Sequence, residues 1–102
     1  MKTISEKFYS SHGNQSKMYV VVVKLDSDEK LKVSIRKNAY NFQSHCTLSR
    51  WDGDKWQHMV ATPYADMLCN QESVPYWSQP QNIELYQQDA QNLIEEAKEI
   101  LA

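Results

Sequence analysis

At 102 residues the chain is long enough for one domain with one modest core. Apolar residues make up 41% and charged residues 24%, and 11 Lys and Arg against 13 Asp and Glu leave a formal net charge of −2. That balance supplies no global pull toward nucleic acid or anionic membrane, so any such attraction has to come from local segregation of charge.

Residues 1 to 17 are polar, with one apolar pair at Phe8 and Tyr9. They are expected to be loosely held, with a short helix or an edge strand around Ile4 to Tyr9. They hold no apolar block like the core of a secretory signal. The two cysteines, Cys46 and Cys69, are too few for a disulfide framework. Together these features predict a cytoplasmic protein with reduced thiols.

Residues 18 to 25, MYVVVVKL, favour an extended backbone, because four β-branched side chains in a row suit a pleated surface. The apolar run here is far too short to span a bilayer as a helix, so no membrane partner is expected. Residues 31 to 37 alternate, with Leu31, Val33 and Ile35 on one side and Lys32, Ser34 and Arg36 on the other. With residues 26 to 30 as the turn, Leu25 is expected opposite Leu31, Val23 opposite Val33 and Val21 opposite Ile35. A third strand is predicted over about 40 to 51 and a fourth over about 55 to 62, joined by Asp52-Gly53-Asp54, whose glycine supplies positive φ. Residues 63 to 80 carry mixed signals: one or two helical turns at PYADMLCN, then an irregular aromatic connection. The last element is a helix over 81 to 101 with an N-cap at Asn82 or Ser78. Its apolar stripe runs through Ile83, Tyr86, Ala90, Leu93, Ala97 and Ile100.

The fold class follows: α+β, two-layer, an antiparallel β-meander of about four strands over residues 18 to 62, with the C-terminal helix packed on one face. The whole of 1 to 102 is one domain.

Most residue types that do chemistry crowd into HCTLSRWDGDKWQHMVATPY, residues 45 to 64. A three-residue loop would set Arg50 opposite Trp56 and Leu48 opposite His58, leaving Cys46 and His58 as diagonal neighbours on one face. A two-residue loop shifts the register by one and separates them. No glycine-rich nucleophile turn or third orienting group accompanies the pair, so Cys46 reads as a small core residue and His58 as a sheet-margin residue. His45 and Cys46 are adjacent in a strand and point to opposite faces, so they cannot chelate one ion together. No catalytic residues, no metal site and no cofactor are predicted, and with only Gly13 and Gly53 no phosphate-cradling loop can be written.

Two surfaces exceed what a core requires. Trp51, Trp56, Tyr64, Tyr76 and Trp77 supply rigid aromatic area of the kind enriched at interfaces. Lys24, Lys32, Arg36 and Arg50 are grouped as a basic sheet face. Val20 and Val22 lie on it as a dimer face, because apolar side chains among like charges suggest partial cover. The leading expectation is a small non-catalytic protein that acts by protein–protein contact. It would form a homodimer and serve as an inhibitor or adaptor of the kind phages and mobile elements encode. The alternative is a single-stranded nucleic-acid or nucleotide-binding module using the basic face and the exposed aromatics.

Overall fold

A computed structural model describes residues 1–11, 16–38, 43–59, 63–70 and 83–101. Five strands form one antiparallel sheet in chain order: β1 (Lys2–Ser11), β2 (Ser16–Lys24), β3 (Lys30–Asn38), β4 (Gln43–Trp51) and β5 (Trp56–His58). Among the described residues two helices follow, α1 (Pro63–Asn70) and α2 (Glu84–Leu101). Both pack on the same side of the sheet. Tyr86, Ala90, Leu93, Ile94 and Ala97 of α2 close over Tyr19, Val21, Val23, Leu31, Val33, Ile35 and Leu48. Tyr64 and Ala65 of α1 pack at the margin of that core. The α+β, two-layer architecture is the expected one, with a fifth strand added at the N-terminal edge.

That strand lies in the segment expected to be loosely held. All ten residues from Lys2 to Ser11 pair along β2, from Lys2 opposite Lys24 to Ser11 opposite Ser16, with an irregularity between Thr3 and Ser5. Between Met1 and Ser10 every side chain except Phe8 is exposed, so burial alone would not hold the strand. Polar bonds add to the ladder: Tyr19 Oη donates to Glu6 Oε2 at 2.6 Å, and Gln87 Nε2 of α2 donates to the same oxygen at 2.8 Å. These donors hold the Glu6 carboxyl below its ordinary pKa, while burial and then Glu6 itself push the Tyr19 phenol up. Phe8 meets Tyr86 with ring centroids 5.0 Å apart.

The β2–β3 register differs from the expected one by two residues. Val23 faces Leu31 and Val21 faces Val33, and the ladder closes at Lys24 opposite Lys30. Leu25 leaves the ladder and folds into the core at 7% exposure. The turn explains the slide: Leu25 N donates to Glu29 O at 2.7 Å and Asp28 N to Leu25 O at 2.9 Å. Asp28 sits at φ 70°, a left-handed position that aspartate tolerates. A shift of two preserves the faces, so the buried set is unchanged.

Helix α2 starts at Glu84; the N-caps expected at Asn82 and Ser78 lie outside the described residues. Its buried stripe takes in Ile94 and leaves Ile100 55% exposed, with Leu101 packed instead. A straight α-helix turns once per 3.6 residues, so an alternating 3-4 spacing drifts across the face by about 20° per heptad.

Candidate functional site

Because strand side chains alternate, every residue flanking a core position points to the other side of the sheet. Successive rows cross this outer face. Lys2, Lys24 and Lys30 stand level on β1, β2 and β3. Below them come Ser5, Val22, Lys32, Ser49 and His58, then Lys7, Val20, Ser34 and Thr47, then Tyr9, Met18, Arg36 and His45. Lys2, Lys7, Lys24, Lys30, Lys32 and Arg36 therefore share one face, six of the chain's 11 Lys and Arg. None of the described strand positions on it is Asp or Glu. Among the described residues only Lys24 of the six forms an ion pair, with Asp28 at 3.5 Å, and that contact is exposed.

Among the described residues the carboxylates lie on the helices, in the turns and, at Glu6, on the helix side of β1. Asp89 of α2 lies 3.6 Å from Lys37 Nζ and accepts from Tyr64 Oη at 3.0 Å. Glu96 receives the Tyr64 backbone N–H at 3.2 Å, at the first turn of α1. A near-neutral chain is thus strongly divided, cationic on the sheet and anionic on the helices.

At one end of the outer face Trp51 and Trp56 stand opposite each other, with ring centroids 5.3 Å apart at 64°. Lys32 Nζ sits 4.8 Å from the Trp56 ring centroid, a cation–π distance. Both rings are half-buried. At the other end a shallow depression of about 200 Å³ includes Met18, Ser34, Arg36, His45 and Thr47 in its lining. Val20 and Val22 lie half-buried between the two ends.

The β4–β5 connection fixes these positions, and it is not the three-residue loop expected. Trp51 pairs with Trp56, Arg50 with Gln57 and Ser49 with His58, leaving Asp52 to Lys55 as a four-residue loop. Asp52 selects it: one carboxylate oxygen accepts from Asp54 N and Lys55 N at 2.8 Å each, and the other from Gln57 Nε2 at 2.8 Å. Those three donors keep the Asp52 carboxyl below its ordinary pKa. Gly53, at φ 100°, provides the expected positive-φ position. The one-residue change in register turns His58 to the outer face, while Cys46 stays on the helix side with its Sγ 3.4 Å from Ala65 O. The diagonal Cys46–His58 pair does not form.

The remaining sequence-derived positions divide. Lys24, Lys32, Arg36, Trp51 and Trp56 come together on the outer face. Arg50 does not join them: it shares parity with Leu48, points to the helix side and pairs with Glu29 at 3.0 Å. Tyr64 belongs to the interior polar contacts of α1 and α2, its hydroxyl also accepting from Asn92 Nδ2 at 2.9 Å. Tyr76 and Trp77 lie outside the described residues. Lys2, Lys7 and Tyr9 are additions that composition does not announce. Their only signal is the alternation of Lys2, Lys7 and Tyr9 with Thr3, Glu6 and Phe8, interrupted by the irregularity at Ile4.

Among the described residues no three His, Cys, Asp or Glu side chains are grouped to hold a metal ion. No described helix is long and apolar enough to cross a membrane. Compared with protein-family models, with curated proteins and with solved structures, the chain matches none.

Proposed function

We propose that this chain is a small non-catalytic binding protein whose outer sheet face takes single-stranded nucleic acid. The observation that carries the proposal is the segregation of charge: six cations and no strand carboxylate on one face of a chain whose net charge is −2. Net charge argues against a polyanionic ligand only when the charges are mixed, and here they are sorted. Like charges standing directly opposite, as Lys2, Lys24 and Lys30 do, destabilise a sheet and are relieved by a bound anion. The Trp51–Trp56 pair beside Lys32 adds a stacking platform next to that charge, the combination single strands use.

The non-catalytic part rests on the separation of Cys46 from His58, which lie on opposite sides of the sheet. A cysteine count too low for a disulfide framework supports a cytoplasmic setting. A sheet-to-sheet dimer through Val20 and Val22 would set six cations against six, so the face suits an anionic partner better than a second copy. An acidic protein is the competing occupant.

The test is tryptophan fluorescence during titration with an oligothymidylate, for wild type and Trp56→Ala. Saturable quenching is expected, with the variant weakened by about 1–3 kcal/mol through loss of base stacking. An unquenched wild type would refute the proposal, as would a Trp56→Ala variant of unchanged affinity.

A further inference from the structure

The outer face carries two different kinds of cation, and their placement is not random. The five lysines are spread over β1, β2 and β3, whereas the single arginine, Arg36, stands at the depression. Lysine is a mobile point charge suited to phosphate. Arginine is a rigid planar fork suited to two acceptors held side by side. Resting on the nucleic-acid reading above, we infer that this depression is a base-recognition pocket and that Arg36 reads guanine in it.

The environment of Arg36 is the first reason. Among the described residues no carboxylate pairs with it, and its Nη2 lies 3.3 Å from Met18 Sδ. Thioether sulfur is a weak acceptor, so this exposed contact takes up little of the guanidinium's donor capacity. Guanine presents N7 and O6 side by side on one edge, two acceptors that match the fork; adenine presents an acceptor beside a donor, and pyrimidines lack the pair.

The second reason is the lining. The depression measures about 200 Å³ and opens to solvent, so a base can enter it from the outer face. Ser34 and Thr47 stand directly opposite each other in its lining, each with a hydroxyl that can donate or accept. Met18 and His45 flank Arg36 in register and offer soft, flat surfaces for a base to lie against. Nothing in that lining carries a negative charge, so an electron-rich base edge meets only donors and neutral groups.

Spacing is the third. From Lys32, beside Trp56, to Arg36 is four residues along β3, or about 13 Å at the rise of a strand. At about 3.4 Å per stacked nucleotide that distance spans several nucleotides of one strand. A base on Trp56 and a base in the depression can therefore belong to the same short oligonucleotide without crowding.

Anisotropy titrations of labelled, equal-length oligothymidylates with no substitution, one central dG or one central dA test this. They are run on wild type and on Arg36→Lys, which keeps the charge and removes the fork at an exposed position. Wild type is expected to bind the dG oligonucleotide about tenfold more tightly than the other two. Arg36→Lys is expected to lose that preference while keeping oligothymidylate affinity within about twofold, since the charge is retained. Equal wild-type affinity for all three would overturn the guanine pocket and leave the nucleic-acid reading standing. So would an Arg36→Lys variant weakened equally on every sequence, which marks a phosphate contact. Binding to none of the three would overturn both.

Discussion

Replacing Tyr19 by Phe isolates one of the polar contacts that tie the exposed edge strand to the rest of the molecule. The Tyr19 ring is buried, and its hydroxyl donates 2.6 Å to a Glu6 oxygen that Gln87 also reaches at 2.8 Å. A hydrogen bond to a charged group contributes about 1.5–3 kcal/mol when shielded. Glu6 is exposed, so solvent screening and the remaining Gln87 bond reduce the expected loss to about 1 kcal/mol. In a domain of this size that lowers Tm by roughly 4–8 °C. The effect should depend on pH with a defined sign. Glu6 has a depressed folded pKa, so its contribution is full above the ordinary glutamate value and is lost as pH falls through the lowered folded value. Urea denaturation of wild type and Tyr19→Phe at neutral pH, and again below the carboxylate range, should show the gap closing in acid. A Glu6→Ala, Tyr19→Phe double-mutant cycle at neutral pH should return most of the loss as coupling between the two residues. A gap that is the same at both pH values, or a coupling near zero, would refute the assignment of this bond as a β1 anchor.

Two other substitutions probe the rest of the framework. Leu93→Ala, at a position with 0% exposure where α2 crosses the sheet, should cost about 2–5 kcal/mol and lower the urea midpoint with little change in slope. Gly53→Ala should cost about 1–3 kcal/mol for φ alone, because a Cβ there meets nothing within 4 Å; thermal melts that match wild type would contradict the four-residue loop geometry.

Periodicity made the buried half of this protein legible. The valines of β2, the alternation of β3 and the apolar stripe of α2 identify core positions because burial selects apolar side chains at fixed intervals. Where that selection is absent the signal vanishes. β1 is an edge strand exposed on nearly every side chain, so only Phe8 and Tyr9 spoke for it. Loop chemistry hid the registers: Asp28 and Asp52 each chose a turn one or two residues away from the simplest one. A two-residue slide at β2–β3 left the faces intact, whereas a one-residue change at β4–β5 sent His58 to the other side. The outer face was readable only in part, since Lys24, Lys32 and Arg36 follow from alternation within β2 and β3. Lys2 and Lys7 require β1 to exist, and Arg50 matches the other cations in charge while its parity with Leu48 places it on the helix side. The division of charge between layers emerges from register, which a net charge of −2 averages away.

The most direct measurement is the affinity for a single-stranded oligonucleotide as a function of salt, plotted as log K against log salt concentration. With three or four of the six outer-face cations engaged, the slope should be about −2 to −3, at roughly −0.7 per phosphate contact for a single strand. A slope indistinguishable from zero, or no binding at low salt, would contradict the account.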